Sequence, residues 1–353
     1  MMKEVSYKHL EKMTDNTGII QFAKYDNPIK ESGYTVDDNA RALIVALNAD
    51  KGMKDLAKIY IEFIKSAQRP DGTFANLKLD ENFVPDIDSE DSIGRAFMAC
   101  CYAFCNKNSS SEIKETAQGI IKKTLPVIEN FKSLRAIAYS LIGLASLLGN
   151  GFEDVQSTDD IYKIAGDMAE RLNNAYTANH SDNWQWFEEY LTYCNAVLPH
   201  SLFLYYAVSG DKKSLRIAEE SLNFLTDALF KNGYLSIVGN QGWWQKDGSI
   251  PAFDQQPVDA ASITLACICA YFVKGKKEHL DMAKLSYRWY WGKNINSLQV
   301  YNETSGGCHD ALTSCGINMN QGAEALVSFL LTHQILENIL NNNAQDTAEI
   351  PAV

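Results

Sequence analysis

The chain has 353 residues, of which 46% are hydrophobic and 22% are charged, so it can bury a large core and is not disordered as a whole. Its net charge of -12 argues against a nucleic-acid partner, because such a partner requires a concentrated basic face; a neutral or cationic small molecule fits better. No apolar run approaches the roughly 20 residues that span a bilayer, and the first residues lack the apolar region of a signal peptide. These features predict a cytoplasmic protein that binds neither nucleic acid nor membrane.

Hydrophobic periodicity predicts helices along almost the whole chain, and the helices are of two kinds. The first kind is rich in Ala, Gly, Ser and large apolar residues, and it should be buried on most sides. It covers about 38–50, 91–105, 133–149, 189–209, 258–274 and 321–338. The second kind is amphipathic and charged, and it covers about 5–13, 53–68, 110–131, 159–176, 212–230 and 276–292.

The two kinds alternate along the chain, which predicts a ring of six buried helices inside a ring of six amphipathic ones. We therefore predict an all-α fold, an (α/α)6 toroid formed by residues 1–340 as a single domain, followed by a polar tail at 341–353. An open α-solenoid is the alternative, but it would show a repeat of fixed length, and the spacing here is irregular.

The connections between the predicted helices are asymmetric. Turns from an inner to an outer helix are short, whereas the connections from outer to inner helices are long and carry Gly, Pro, Trp and acidic residues. The long connections are 69–91, 177–189, 231–257 and 294–320. Long structured loops usually line a functional site, so we predict a site where these loops meet, over the N-termini of the inner helices.

Acidic residues recur at the predicted starts of the inner helices. They are Asp37 with Asp38, Glu90 with Asp91, Glu188 with Glu189, Asp254 with Asp259, and Glu324. Helix capping explains any single pair, since carboxylates are favoured at helix N-termini. Because successive helical residues point about 100° apart, we expect one acid of each pair to cap and the other to project inward. Two inward carboxylates suit glycosidic-bond cleavage, in which one acid protonates the leaving oxygen and the other carboxylate activates water or attacks the sugar.

Other side chains in the same loops suit sugar binding. Flat rings next to acids and amides fit the faces and hydroxyl edges of sugars; the rings are Trp184, Trp186, Trp243, Trp244 and Tyr301. His309 and Asp310 could bind a hydroxyl group or assist proton transfer. Arg41, Arg95 and Arg135 lie near inner-helix starts and could neutralise the acids there.

The chain shows no metal-binding or phosphate-binding motif, and we predict no metal and no cofactor. Its eight cysteines include Cys100, Cys101 and Cys105 on one predicted helix and Cys267 and Cys269 on another. Neighbours at these spacings point in different directions on a helix, so buried free thiols are the expected state.

Eight segments together resemble, in chain order, a family of six-hairpin glycosidase-like domains. They are "YTVDDNARALIVAL", "DSEDSIGRAFMA", "SLRAIAYSLIGL", "WQWFEEYLTYCNAVLPHSL", "GNQGWW", "AFDQQPVDAA", "SGGCHDAL" and "NMNQGAEALVSFL". The resemblance extends from about residue 30 to 338 and implies the (α/α)6 toroid. Such domains are often fused to, or encoded beside, glycosyltransferases and mannoside phosphorylases, which implies a functional association of that kind. The sequence departs from the expected pattern at Cys194, where an aspartate is expected, and this puts the activity in doubt.

The sequence therefore predicts a glycoside hydrolase acting on a mannose-containing or related oligosaccharide. The predicted catalytic residues are Asp37, Asp38, Glu188 and Glu189, and the predicted substrate-binding residues are Asp91, Arg95, Trp186, Tyr193, Trp243, Trp244, Asp254, Gln255, His309 and Asp310. A sugar epimerase of the same shape is an alternative, with His200 and His309 as the histidines near inner positions. A non-catalytic carbohydrate-binding module serving a glycosyltransferase is another.

Overall fold

The computed structural model describes residues 2–49, 53–150 and 157–342. Within these ranges the chain forms twelve α-helices, numbered here in chain order. They are α1 (Lys8–Met13), α2 (Val36–Asn48), α3 (Lys54–Ala67), α4 (Glu90–Cys105), α5 (Ser111–Ile128), α6 (Leu134–Gly149), α7 (Thr158–Asn179), α8 (Val197–Ser209), α9 (Lys212–Leu229), α10 (Pro257–Lys274), α11 (Lys277–Tyr287) and α12 (Ala323–Asn342). The predicted alternation of buried and amphipathic helices is thus observed.

The even-numbered helices form a closed ring, because each packs against the next and α12 returns to pack against α2. Each odd-numbered helix packs outside an inner one, with α1 lying against α12 and α11 against α10. The (α/α)6 toroid is therefore confirmed, and the open solenoid is wrong. By length and composition α10 alone, among the described residues, could cross a membrane, but 67% of it is buried inside the protein, which is the environment of a core helix.

Small residues allow the inner helices to approach closely. A Cβ atom on Gly94 in α4 would lie 2.8 Å from the backbone oxygen of Ala136 in α6, so only glycine fits at this contact. Ala96, Ala99 and Ala138 on the same two helices are buried. The Ala-, Gly- and Ser-rich composition of the inner helices is therefore what allows a ring of this radius to close.

The long connections contain short antiparallel strands. These are β1 (Ala23–Lys24), β2 (Asn27–Pro28), β3 (Tyr34–Thr35), β4 (Leu77–Leu79), β5 (Asn82–Val84), β6 (Tyr190–Leu191), β7 (Trp244–Gln245), β8 (Tyr301–Asn302), β9 (Gly307–Cys308), β10 (Ala311–Thr313) and β11 (Gly316–Asn318). They pair as β1–β2, β3–β4–β5, β6–β7, β8–β9 and β10–β11. The strands hold the loops over one end of the barrel, called the rim below, where the inner helices begin.

The predicted inner helix at 189–209 begins later than expected, at Val197. Residues 190–191 belong instead to β6, which pairs with β7. Cys194 has a φ of 46°, a left-handed conformation that a helix cannot contain. The amide of Asn195 also closes a turn by bonding the backbone N–H (2.9 Å) and carbonyl (2.9 Å) of Thr192. At the other end of the chain, α12 continues two residues into the predicted tail, and 343–353 lie outside the described residues.

Candidate active site

The rim contains a cavity of about 240 Å³ between the starts of α2, α10 and α12. Its interior is polar and acidic, and its mouth carries two apolar side chains. The lining residues are Gln21, Phe22, Thr35, Asp37, Asp38, Arg41, Asn76, Ile87, Gln256, Pro257, Asp310, Gly322, Glu324 and Ala325. Three of the predicted site residues, Asp37, Asp38 and Asp310, thus meet in one place.

The acids at the start of α2 do not cap the helix. Thr35 is the N-cap, and its hydroxyl accepts the N–H of Asp38 (3.1 Å) and donates to a carboxylate oxygen of the same residue (2.7 Å). Ser89 and Ser133 cap α4 and α6 in the same way. The expectation that one acid of each pair caps its helix is therefore wrong for α2 and α4, and both Asp37 and Asp38 are left to line the cavity.

Two arginines hold the acids of α2 in different electrostatic states. Arg95 Nη1 lies 2.7 Å from Asp37 Oδ1, whereas Arg41 Nη1 lies 3.3 Å from Asp38 Oδ1. Burial disfavours the charged form of Asp37, but the charges of Arg95 and Arg41 outweigh this effect and lower its pKa. Burial raises the pKa of Asp38 to about 7, and Arg41 only partly opposes that rise. Adjacent carboxyl groups therefore favour opposite protonation states near neutral pH.

Two more acids line the cavity, Asp310 from the position before β10 and Glu324 from the start of α12. Burial raises the pKa of Asp310 to about 6, although one of its oxygens accepts the N–H of Gly322 at 2.7 Å. Glu324 lies in the first turn of α12, its side chain is 45% exposed, and it bonds Arg41 Nη2 at 3.0 Å. Because Arg41 contacts both Asp38 and Glu324, it joins the acids of α2 and α12.

On the α4–α6–α8 side of the rim, acids join neighbouring hairpins instead of lining the cavity. Glu90 accepts the backbone N–H groups of Lys132 (2.7 Å) and Ser133 (2.6 Å). Asp91 accepts the Ser133 hydroxyl (2.6 Å) and the hydroxyl of Tyr193. These carboxylates therefore serve as ties between α4, α6 and the loop before α8.

The structure does not bring Glu188 or Glu189 to the cavity. Glu188 forms an ion pair with Arg135 at 3.0 Å, and both side chains are mostly buried. Glu189 is exposed and precedes β6. Both residues were expected at the start of an inner helix, where one of them would face inward. Because α8 begins only at Val197, they lie outside that helix.

The tryptophans mostly pack the loops against the outer helices. Trp186 is fully buried beside Phe187, and Trp244 stacks on Phe224 of α9 at 5.4 Å. Trp243 differs, since its ring lies 6.5 Å from that of Tyr193 at the rim. None of these rings lines the acidic cavity.

The remaining predicted binding residues also have bonds that hold loops in place. Gln255 is fully buried, and its amide bonds the carbonyl of Ala252 (3.1 Å) and the indole N–H of Trp289 (3.0 Å). Asp254 accepts the side-chain amide of Gln241 (3.1 Å). His309 Nδ1 lies 3.1 Å from the carbonyl oxygen of Met319, and burial lowers its pKa. None of the three lines the acidic cavity.

A second cavity of about 70 Å³ lies on the barrel axis and shares Arg41 with the first. Its wall is mostly apolar, but Cys194 and His200 also line it. Burial lowers the pKa of His200 to about 4, so its imidazole is neutral at physiological pH, and its Nε2 has no hydrogen-bond partner. Burial also raises the pKa of Cys194 to about 11, which keeps this thiol protonated and weakly nucleophilic.

Within the described residues, no three His, Cys, Asp or Glu side chains are grouped so that they could hold a metal ion. All eight cysteines are free thiols, and of these only Cys315 is exposed.

No protein-family model matches the chain by sequence, and no curated protein does. Solved structures do match. A D-mannose isomerase superposes with a TM-score of 0.71 at 12% identity, covering 94% of this chain and 96% of its own. The cellobiose 2-epimerase of Spirochaeta thermophila gives 0.70 at 13% identity, covering 94% and 93%.

The GH76 α-mannanase of Bacteroides thetaiotaomicron gives a TM-score of 0.61 at 15% identity and covers 87% of this chain and 88% of its own. The chain has the six-hairpin glycosidase-like fold. The matched structures are named for an isomerase, an epimerase and a mannanase, so the shared fold alone does not identify a function for this chain.

Several cavity residues were not predicted as site residues from the sequence. They are Gln21, Phe22, Asn76, Ile87, Gln256 and Glu324, with Arg41 considered only as a neutralising charge. Glu324 was visible among the rim acids, and Gln256 adjoins two predicted residues. The others come from loops whose sequences carry no distinctive pattern.

Proposed function

We propose that this protein is a carbohydrate-active enzyme and that it hydrolyses glycosidic bonds in a neutral, mannose-containing or related oligosaccharide. The observation that carries the proposal is the pair Asp37 and Asp38. The pKa of Asp38 is about 7 and that of Asp37 is below its usual value, and both line one cavity. Glycoside cleavage requires one protonated carboxyl group that donates to the leaving oxygen and a second, ionised carboxylate across the scissile bond, and Asp38 suits the first of these roles.

In this proposal Asp38 donates a proton to the leaving oxygen. Asp37 remains ionised and stabilises the positive charge that develops on the sugar ring. Glu324 or Asp310, which line the same cavity, takes the role of the second carboxylate that activates water or attacks the sugar. The amides of Gln21, Asn76 and Gln256 supply donors and acceptors for hydroxyl groups.

The charge of the cavity supports a neutral substrate. Its lining has four acidic side chains and one arginine, so a phosphorylated or uronic sugar would meet net repulsion. The neighbouring solved structures named for D-mannose, cellobiose and α-mannan chemistry support a sugar ligand.

The test replaces Asp38 and Asp37 singly with asparagine and measures the release of sugars from a set of mannosides and glucosides. Loss of a general acid typically lowers turnover by ~10²–10⁴-fold, and we expect a loss in this range for Asp38→Asn. Glu324→Gln tests the second carboxylate in the same assay. Unchanged turnover in both aspartate variants would end the assignment.

Sugar epimerisation is the second candidate. It is favoured by the neutral imidazole of His200, whose Nε2 faces no partner in a cavity adjoining the acidic one. Uptake of solvent deuterium into a free sugar, abolished by His200→Phe, would select this reaction over hydrolysis. Binding of a glycan without formation of any product would instead indicate a non-catalytic carbohydrate-binding module. The presence of Cys194 where an aspartate is expected is consistent with that alternative.

We further propose a cytoplasmic location and a functional association with a glycosyltransferase or glycoside phosphorylase, both of which rest on the sequence. Co-purification of the protein with such an enzyme from its native cells tests the association.

A further inference from the structure

We infer that the acidic cavity is closed on the α4–α6–α8 side and therefore binds only one end of an oligosaccharide, with the rest of the sugar chain leaving past Phe22 and Ile87. This inference rests on the proposed function and deepens it, because it specifies a chain end as the substrate.

The origin of the lining residues gives the first argument. They come from the starts of α2, α10 and α12 and from the loops around residues 21–22, 76–87 and 310. Among the described residues, none from α4, α6 or α8 lines the cavity. A cleft that could hold the middle of a sugar chain would have to cross the rim and contact both halves of the ring.

Tyr193 forms the centre of the wall that closes the other half. Its hydroxyl donates to Asp91, its carbonyl accepts Arg135 Nε at 2.7 Å, and its ring lies 5.2 Å from the Arg135 guanidinium carbon. Trp243 flanks the same ring at 6.5 Å. Tyr193 is thus held from several directions, so the wall is a fixed part of the rim.

Arg95 completes the wall next to the cavity. Its Nη1 bonds Asp37 at 2.7 Å and its Nη2 bonds the Tyr139 hydroxyl at 3.1 Å, with the guanidinium carbon 4.6 Å from the Tyr139 ring. The arginine therefore joins α2 to α6 beside the acidic cavity, and it lines the second cavity instead of the acidic one. Its charge also remains compensated there, which opposes its displacement.

The open side carries the only strongly exposed apolar side chains among the lining residues. Phe22 is 52% exposed and Ile87 is 43% exposed, and both line the mouth of a cavity whose other lining residues are mostly polar. An aromatic and a branched aliphatic side chain at this place suit the apolar face of a second sugar ring. They mark the direction in which the chain leaves the site.

Saturation-transfer NMR with the Asp38→Asn variant and linear mannohexaose or cellohexaose tests the inference, because it reports which sugars contact the protein. We expect one terminal sugar and its neighbour to receive at least threefold more saturation than the third and later sugars. Comparable saturation of internal sugars would overturn the inference and leave the hydrolase proposal intact. If neither hexasaccharide binds, the proposed function fails, and the inference that depends on it fails too.

The exit side is tested separately with Phe22→Ala, using whichever hexasaccharide binds. Because Phe22 is on the surface, its loss should weaken binding of that hexasaccharide by about fivefold to tenfold while binding of the free monosaccharide changes less than twofold. Tyr162→Ala is the matched control, since Tyr162 is an exposed aromatic residue on α7. Equal effects of Phe22→Ala on the hexasaccharide and the monosaccharide would contradict the proposed exit.

Discussion

Replacing Asp38 with asparagine should change how the stability of the fold depends on pH. The side chain is almost fully buried, and burial raises its pKa from 3.8 to about 7. That rise corresponds to about 4 kcal/mol, the extra cost of ionising this carboxyl group in the folded protein. Asparagine has nearly the same shape and does not titrate, so it removes this cost. Its Oδ1 can still accept from Arg41, while its Nδ2 would donate to the Thr35 hydroxyl oxygen and so reverse the direction of that bond.

The direction follows from proton linkage. Because the folded protein holds this proton more tightly than the unfolded chain, the contribution of Asp38 to stability falls as pH rises from about 4 to 7 and then stays level. The free energy of unfolding of the variant, relative to wild type, should therefore rise by about 4 kcal/mol between pH 4 and pH 8. Arg41, Asp37 and Glu324 surround the position in both proteins and contribute to both curves.

Urea unfolding followed by circular dichroism at pH 4, 5.5, 7 and 8.5 measures this difference. Asp227→Asn, an exposed position on α9, is the control for removing a carboxylate from the surface. Parallel stability curves for the wild type and Asp38→Asn would show that Asp38 ionises normally, and the acid role proposed for it would then have no physical basis.

Two further pairs of substitutions test the packing and the rim. Gly94→Ala should lower the free energy of unfolding by about 1–3 kcal/mol, because the added Cβ would press on the Ala136 carbonyl. Gly119→Ala is the control: its Cβ would have no neighbour within 4 Å, so it should stabilise α5 by about 0.5–1 kcal/mol. Equal effects of the two substitutions in urea unfolding would contradict the close α4–α6 contact. Arg135→Ala should lower the free energy of unfolding by about 3 kcal/mol, because it leaves the mostly buried carboxylate of Glu188 unpaired. Arg216→Ala, which removes an exposed ion pair, should lower it by less than about 1 kcal/mol. If urea unfolding shows a smaller loss for Arg135→Ala than for Arg216→Ala, the bonds of Arg135 do not hold the rim together.

The fold could be predicted because the alternation of buried and amphipathic composition extends over whole helices. A buried helix such as α6 and an amphipathic one such as α9 differ in composition over many residues, so local errors average out. The start of α8 was predicted wrongly, because the left-handed conformation of Cys194 and the turn closed by the Asn195 side chain prevent the helix from extending toward residue 189. Such single-residue breaks carry no periodic signal.

The site could be predicted only as a region. Acids do stand at the rim, yet whether a carboxylate lines the cavity or joins two hairpins depends on partners distant in sequence. Asp37 and Asp91 occupy the corresponding position at the start of their helices, but Asp91 is bound by Ser133 and Tyr193 from other hairpins. The tryptophans likewise cluster in the predicted loops, and only the fold shows that Trp186 packs inward.

The contact between α12 and α2 joins residues almost three hundred positions apart, as in the bond from Gln334 to the Val45 carbonyl (2.9 Å) and the pair formed by Arg41 and Glu324. During synthesis, the flank of α2 therefore stays uncovered until α12 has left the ribosome, and the acidic cavity lacks one wall for the same period. Folding of this ring should thus be slow and completed in one late step, and the acidic cavity is complete only when α2 and α12 meet.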